Sequence, residues 1–363
     1  MRTTKLLPII WLSTLFLANC SDGSSSFSLL ADSDSFQQTS GTVNSKVDIL
    51  WVIDNSGSME SSQTNLTNNF SSFISGFVSK NLDYKMAFTT TDAYRALPGY
   101  LNKPVCAEFR DRVLDLSCNN VSGYSASGYK ILTPTVPGAG FIENVFSHNA
   151  TVGIWGNGNE RGMQSMHTAL THSINTQYNF LRDDSFFAVI FVSDEVDSST
   201  AAPGFSGSTV QSYVNFLDNL TNSTGPLRRY SANAITIMDT TCLNQLNTSF
   251  GGRSLGTQYT SLAGLTDGLS TSLCGNFATD LEKIADGILS LATQFYLSRI
   301  PIEASIVVSV NGVDVPKKST NPLGDGGWEY IAASNSIKFS GSSYIPPKDA
   351  VVNVDYDPVA YGQ

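Results

Sequence analysis

The chain has 363 residues, of which 41% are hydrophobic, 10% aromatic and only 14% charged, too apolar for a disordered chain and too mixed for a bundle of membrane spans. Thirty-one acidic side chains against 21 basic ones give a net charge of −10, which leaves no basic footprint for phosphate-backbone binding and argues against nucleic acid as a partner. A folded, water-facing body of about two domains is expected.

Arg2 and Lys5 precede an apolar run from Leu6 to Leu17 that is too short to span a bilayer. It ends in Leu17-Ala18-Asn19-Cys20, the layout of a secretory signal over residues 1–19. This pattern resembles a bacterial lipobox, which implies lipidation at Cys20, although Asn19 departs from the small residue usual before the cysteine. The alternative is an ordinary cleaved signal with Cys20 incidental. Residues 20–45 read as a flexible Ser- and Asp-rich tether. By the same resemblance, Ser21 after the cysteine implies an outer-membrane-anchored lipoprotein of a Gram-negative envelope, facing the periplasm or the cell surface.

Beyond Cys20 the cysteines are Cys106, Cys118, Cys242 and Cys274, an even set that suggests disulfides in an exported chain. Of the three possible connectivities, Cys106–Cys118 with Cys242–Cys274 closes the shortest loops. No CxxC pair is present, so a zinc site of that kind is not expected.

Val47 to Ile53 is an apolar run with one interruption, the mark of a strand buried on both faces in a parallel sheet. Leu66, Phe70, Phe73, Ile74 and Phe77 then form one apolar stripe, which predicts a helix from about Glu60 to Lys80. Tyr84 to Phe88 is a second strand. From Ala93 to Trp155 the pattern loosens into Gly, Pro, Ser and Tyr around the first cysteine pair, read as a disulfide-stapled insertion with a short helix near Phe141 to Phe146. A helical stripe at Met163, Met166, Leu170 and Ile174 leads to the strongest strand, Phe186 to Val192. Next come a helix marked by Val210, Val214 and Leu217, a strand over Ala234 to Met238, and a long helix marked by Leu281, Ile284, Ile288 and Leu291. Such alternation predicts an α/β body with a mostly parallel sheet between helices and ligands at the carboxyl ends of the strands. After Arg299 the period falls to two, through Ile306, Val308 and Val310, the turn at Asn311-Gly312, and Trp328, Tyr330, Ile337, Phe339, Val352 and Val354. Residues 298–363 are therefore expected to form a small all-β module, marginal by itself.

The chemistry is concentrated where the first strand stops. Asp54-Asn55-Ser56-Gly57-Ser58 delivers a carboxylate and two hydroxyls on one tight loop, and Asp194, with Glu195 and Asp197 nearby, follows the strongest strand. Sparse oxygen donors suit a hard divalent cation that keeps some of its water, Mg²⁺ foremost, with Mn²⁺ or Ca²⁺ as alternatives. A helix-capping turn at Asp54 would account for the loop alone, but not for a second acidic loop after another buried strand. Either Glu195 or Asp197 is more readily a loop charge than a ligand.

Asp54-x-Ser56-x-Ser58 after a buried strand, with Asp194 ending a later one, resembles a von Willebrand factor type A domain and its metal-ion-dependent adhesion site, in the style of bacterial lipoproteins of that family. The resemblance covers residues 46–297. It implies one ion, Ser56 and Ser58 as direct ligands, and Asp54 and Asp194 acting largely through water. The threonine that such a site takes from a further loop is missing here, where Gly156-Asn157-Gly158-Asn159-Glu160-Arg161 stands. Asn159 or Glu160 would take its place, with Glu160 favoured because the surrounding stretches resemble an acidic-loop branch of the family. A carboxylate there would hold the ion more tightly and leave it less electrophilic toward an acidic ligand. Thr90 and Thr91 are candidates for the rim.

No catalytic pattern emerges. His167 and His172 are five residues apart, unlike an HExxH pair, and with His148 they read as surface or packing residues. There is no Walker loop. The expectation is a non-enzymatic envelope protein that binds an acidic residue of a protein partner through a metal ion. The rivals are a structural component in which the ion only staples loops, and metal-assisted hydrolysis with Glu160 or Glu195 as base.

Overall fold

The computed structural model describes residues 33–37, 46–135, 141–200, 205, 209–249 and 251–359; the signal over 1–19, Cys20 and most of the tether lie outside them. Among the described residues no helix is long and apolar enough to cross a membrane.

In chain order, the first elements are β1 (Ser33–Gln37), β2 (Lys46–Ile53), α1 (Glu60–Asn68), α2 (Phe70–Ser79) and β3 (Asp83–Thr90). Next come β4 (Ile131–Leu132), α3 (Phe141–Ala150), α4 (Gly162–Thr171), β5 (Phe186–Ser193), α5 (Val210–Leu220) and β6 (Tyr230–Thr236). The body closes with α6 (Thr240–Asn247), α7 (Thr257–Leu265), β7 (Ser270–Ser272) and α8 (Phe277–Ala292). β8 (Phe295–Tyr296), β9 (Val307–Val310), β10 (Val313–Asp314), β11 (Gly327–Ile331), β12 (Ser336–Ser340) and β13 (Val351–Asp355) follow.

The central sheet runs β4-β3-β2-β5-β6-β7. All its pairings are parallel except β3 with the two-residue edge strand β4. All eight β5 positions are buried, as its unbroken apolar run requires. Alternate β2 residues feed opposite faces. Trp51 packs edge-on against Phe73 and Phe146 on one side, in a core shared with α2 and α8. Leu50 and Val52 meet Met163, Met166, Val214 and Leu262 on the other. From β2 the chain moves outward to β3, then crosses back to β5 on the opposite side, so β2 and β5 flank the switch point where ligands bind in such sheets.

Three expectations need correction. The helix expected over Glu60 to Lys80 is two helices, broken at Asn69, whose amide donates to Asn65 O at 2.8 Å in a segment of poor helix formers. The strand expected at Ala234 to Met238 is centred earlier, at Tyr230–Thr236, because parallel pairing with β5 fixes its register; Met238 lies past its end and is exposed. Ser33–Gln37, inside the expected tether, is a strand pairing antiparallel with β13, where backbone pairing to an open edge supplies what the sequence lacks. The terminal region is all-β as expected, in two sheets, β1-β13-β9-β10 and β11-β12-β8. Its buried Trp328, Phe339, Val352 and Val354 are continuous with the core around α8, so the module is stabilised by the body rather than by itself. Ser290 of α8 also donates to Phe339 O of β12. The turn at Asn311-Gly312 forms as expected, with both residues at positive φ.

Candidate metal centre

Three loops at the carboxyl edge of the sheet build the site. Asp54 directly follows β2, and its N–H donates to Val192 O of β5 at 2.9 Å, so the strand ladder itself fixes where the loop begins. The Ser56 N–H donates to Asp54 Oδ1 at 2.8 Å, and the Ser193 hydroxyl donates to Oδ2 at 2.7 Å, locking the carboxylate. A single 3₁₀ turn over Gly57–Met59 then hands the chain to α1. The Ser56 and Ser58 hydroxyl oxygens lie 3.0 Å apart, and Ser58 donates to Asp194 Oδ1 at 2.9 Å. The four residues expected as the heart of the site are thus brought together, and all four are buried.

The third loop arrives by a close backbone approach. The Gly156 N–H donates to Asn55 O at 2.7 Å, and a Cβ at Gly156 would lie 2.4 Å from the Asn55 side chain, which explains the glycine. The Asn157 N–H donates to Asp92 Oδ2 at 3.0 Å. The turn leaves Asn159 exposed and carries Glu160 inward, where it is 1% exposed. Of the two candidates for the missing threonine, only Glu160 therefore joins the cluster. Both its carboxylate oxygens are buried without a hydrogen-bond partner. Thr91 is near enough to lower its pKa slightly, but the Thr91 hydroxyl donates to Asn55 Oδ1 at 3.3 Å. The Thr90 hydroxyl accepts from the Asp92 N–H and from Arg110. Asp197 caps α4, accepting from the Met163 N–H at 3.1 Å, and is not part of the cluster.

Negative charge dominates the site. Burial and the charge of Asp194 push Asp54 up to about 7. Burial, then Asp54 and Asp194, push Glu195 up to about 7, against the pull of Arg253. Burial and Asp54 raise Glu160 well above the usual carboxylate range. Nothing in the sequence points to Arg253, which sits 59 residues after Asp194 in a Gly-rich loop where Gly252 takes φ 101°. Its Nε donates to Asp194 Oδ2 at 2.6 Å and its Nη2 donates to Ser58 O at 2.8 Å.

The donor set fits a hard divalent cation. Two hydroxyl oxygens share one pocket, and both oxygens of a buried carboxylate have no partner. Asp54, Asp194, Glu160 and Glu195 raise one another's charge density, and Arg253 pairs with Asp194 and offsets Glu195. Among the described residues no trio of acidic, histidine or cysteine side chains is arranged to hold a metal by itself, so the serine hydroxyls would be essential ligands. A separate cavity of about 390 Å³ at the amino edge of β5 and β6 is a poorer candidate. Its Arg182 is spent on Asp48 and Asp83, and its Arg229 on backbone carbonyls.

Both disulfides, Cys106–Cys118 and Cys242–Cys274, form as expected. The histidines pack or bond locally: His167 lies against Phe205 and Phe216, His148 meets Ser125 O, and His172 Nδ1 accepts from the Ile174 N–H.

No family model and no curated protein sequence matches the chain. Among solved structures it is similar to proximal thread matrix protein 1 from the mussel byssus, at 11% identity and a TM-score of 0.37, covering 71% of this chain and 51% of that one. Another structure of that mussel protein, at 10% identity and a TM-score of 0.37 with the same coverage, is described as having a zinc-occupied MIDAS motif. It is also similar to the pilus adhesin SpaC from Lactobacillus rhamnosus GG in an open conformation, at 12% identity and a TM-score of 0.39, covering 88% of this chain and 39% of that one. This chain thus spans about half the length of the mussel protein and two fifths of the adhesin. The parallel sheet with its antiparallel edge strand, and the serine–aspartate loop at the switch point, give the body a von Willebrand factor type A-like fold.

Proposed function

We propose that the protein is a divalent-cation-dependent, adhesion-type binding protein of the cell envelope, which engages an acidic side chain of a protein partner. The observation that carries this reading is the convergence of three loops on one pocket: paired Ser56 and Ser58 hydroxyls, Asp54 and Asp194 behind them, and the unpartnered Glu160 carboxylate beside them. Ser56, Ser58 and Glu160 would hold the ion, Mg²⁺ foremost, and Asp54 and Asp194 would orient the hydroxyls and bound water. When bound, the ion supplies an open coordination position for an incoming carboxylate.

The chain's own residues prepare that position. Ser193 and the Ser56 N–H fix Asp54, Arg253 fixes Asp194, and Gln63 ties Asp54 O to Gly153 O at 2.9 Å each, joining two of the loops. Asp92, just before the insertion, borders the pocket, and Tyr94 and Tyr100 of the insertion contact the Arg161 guanidinium next to Glu160. This border favours the insertion as the part that sets partner choice. The two disulfides favour an oxidising compartment. Lipid anchoring at Cys20 to an outer membrane rests on the N-terminal pattern alone.

The test is capture from a native envelope extract on immobilised wild type and Asp54→Ala, with Mg²⁺ and with chelator. A protein held by wild type, released by chelator and absent from Asp54→Ala supports the reading. Capture that ignores chelator overturns it, and a metal-dependent melting temperature with no captured partner favours the loop-staple alternative.

A further inference from the structure

Glu160 brings a full negative charge to a position where a threonine would bring none, and the same site contains a buried guanidinium that the motif does not announce. Arg253 has its side chain 3% exposed and bridges the two groups that define one wall of the pocket, the Asp194 carboxylate at 2.6 Å and the Ser58 carbonyl at 2.8 Å. Its Nη1 donates to Leu246 O at 2.6 Å, tying it to the end of α6, and α6 is itself stapled through Cys242 to Cys274 after β7. The guanidinium is therefore held rigidly in place.

We propose that Arg253 is the charge counterweight to Glu160. It occupies one oxygen of Asp194 while the other accepts from Ser58, and its positive charge offsets one of the site's carboxylate charges. Two consequences follow from Coulomb's law at short range. Without Arg253, Asp194 is released toward the pocket, and the site gains a net negative charge and holds a divalent cation more tightly. With it, the ion keeps enough positive character to accept a further carboxylate. Arg253 is thus a specificity-determining residue acting through Asp194, and its effect should be cancelled by neutralising Glu160.

This inference rests on the metal reading above, and the experiment separates the two. Mn²⁺ binding is measured by calorimetry at pH 8 on the full chain for wild type, Arg253→Gln, Glu160→Gln and the double variant. Ligand charge count tunes such sites by an order of magnitude or more. Arg253→Gln is therefore expected to bind about tenfold more tightly, Glu160→Gln about tenfold more weakly, and the double variant within about threefold of wild type. Arg253→Lys, which keeps the charge, should stay near wild type. If Arg253→Gln does not fold, Glu160→Gln against the double variant carries the test, since a purely structural arginine would make the double variant weaker still. Arg253→Gln binding no more tightly than wild type, or a double variant no tighter than Glu160→Gln, overturns the counterweight and leaves the metal site standing. Absence of saturable Mn²⁺ binding in wild type overturns both.

Discussion

Asp54→Asn should make the metal-free protein more stable. In the absence of a cation, Asp54 is fully buried beside Asp194, and its carboxyl is pushed up to about 7 from 3.8. That difference of about three pH units corresponds to about 4 kcal/mol by which the ionised group disfavours the folded state. The sign follows from proton counting: between pH 4 and 7 the unfolded chain has lost this proton while the folded chain keeps it. Metal-free stability therefore falls as pH rises through that window and stays low above it. Asparagine removes the charge and keeps the oxygen that accepts from the Ser56 N–H, but it disturbs the bond from Ser193, at a cost of about 1–2 kcal/mol. The net gain at pH 8 is about 2–3 kcal/mol, or about 5 °C in melting temperature for a chain of this size. Differential scanning calorimetry in chelator checks it. The advantage should shrink toward pH 4, and added Mg²⁺ should raise the melting temperature of wild type but not of the variant. An Asp54→Asn protein that melts at or below wild type in chelator at pH 8 would refute the idea that this pocket carries uncompensated charge.

Ser58→Ala removes a hydroxyl whose partners are Ser56 and Asp194; it should abolish Mg²⁺-induced stabilisation while moving metal-free stability by only about 1–2 kcal/mol, read by melting with and without the ion. His167, pushed down to about 4 by burial, stays neutral between Phe205 and Phe216 while the unfolded imidazole protonates near 6.5. Its contribution to stability is lost as pH falls from about 6.5 to 4, by about 1–2 kcal/mol after allowing for its partial exposure. Urea titrations at pH 7 and 5 should therefore show a smaller acid loss for His167→Leu than for wild type. Replacing Cys106 and Cys118 together by serine opens a loop of sequence separation 12 and should cost about 2–3 kcal/mol in the same assay.

The strands and helices with unbroken apolar signals were legible from sequence because burial on both faces, or along one stripe, leaves little else for them to be: β2, β5 and α8 are examples. α6 and α7 carry few apolar positions, and tertiary packing through Cys242, Tyr259 and Leu262 decides them instead. Strand β1 has no apolar pattern, and its pairing with β13 could not be read from the sequence. In the site, Asp54, Ser56, Ser58 and Asp194 were readable because each lies next to a strand end whose position the sheet dictates. Which of Asn159 and Glu160 turns inward depends on the approach of Gly156 to Asn55, a contact 101 residues apart in sequence. Arg253 was not readable at all, because the loop that carries it meets Asp194 only after β6 and α6 have been placed.

The most direct test is a crystal of the purified protein soaked in Mn²⁺ and measured for anomalous scattering. A single strong peak at coordination distance from both Ser56 Oγ and Ser58 Oγ, absent from Ser58→Ala crystals, is the predicted result. A featureless pocket, with those two hydroxyls turned apart and the ion elsewhere, would contradict it.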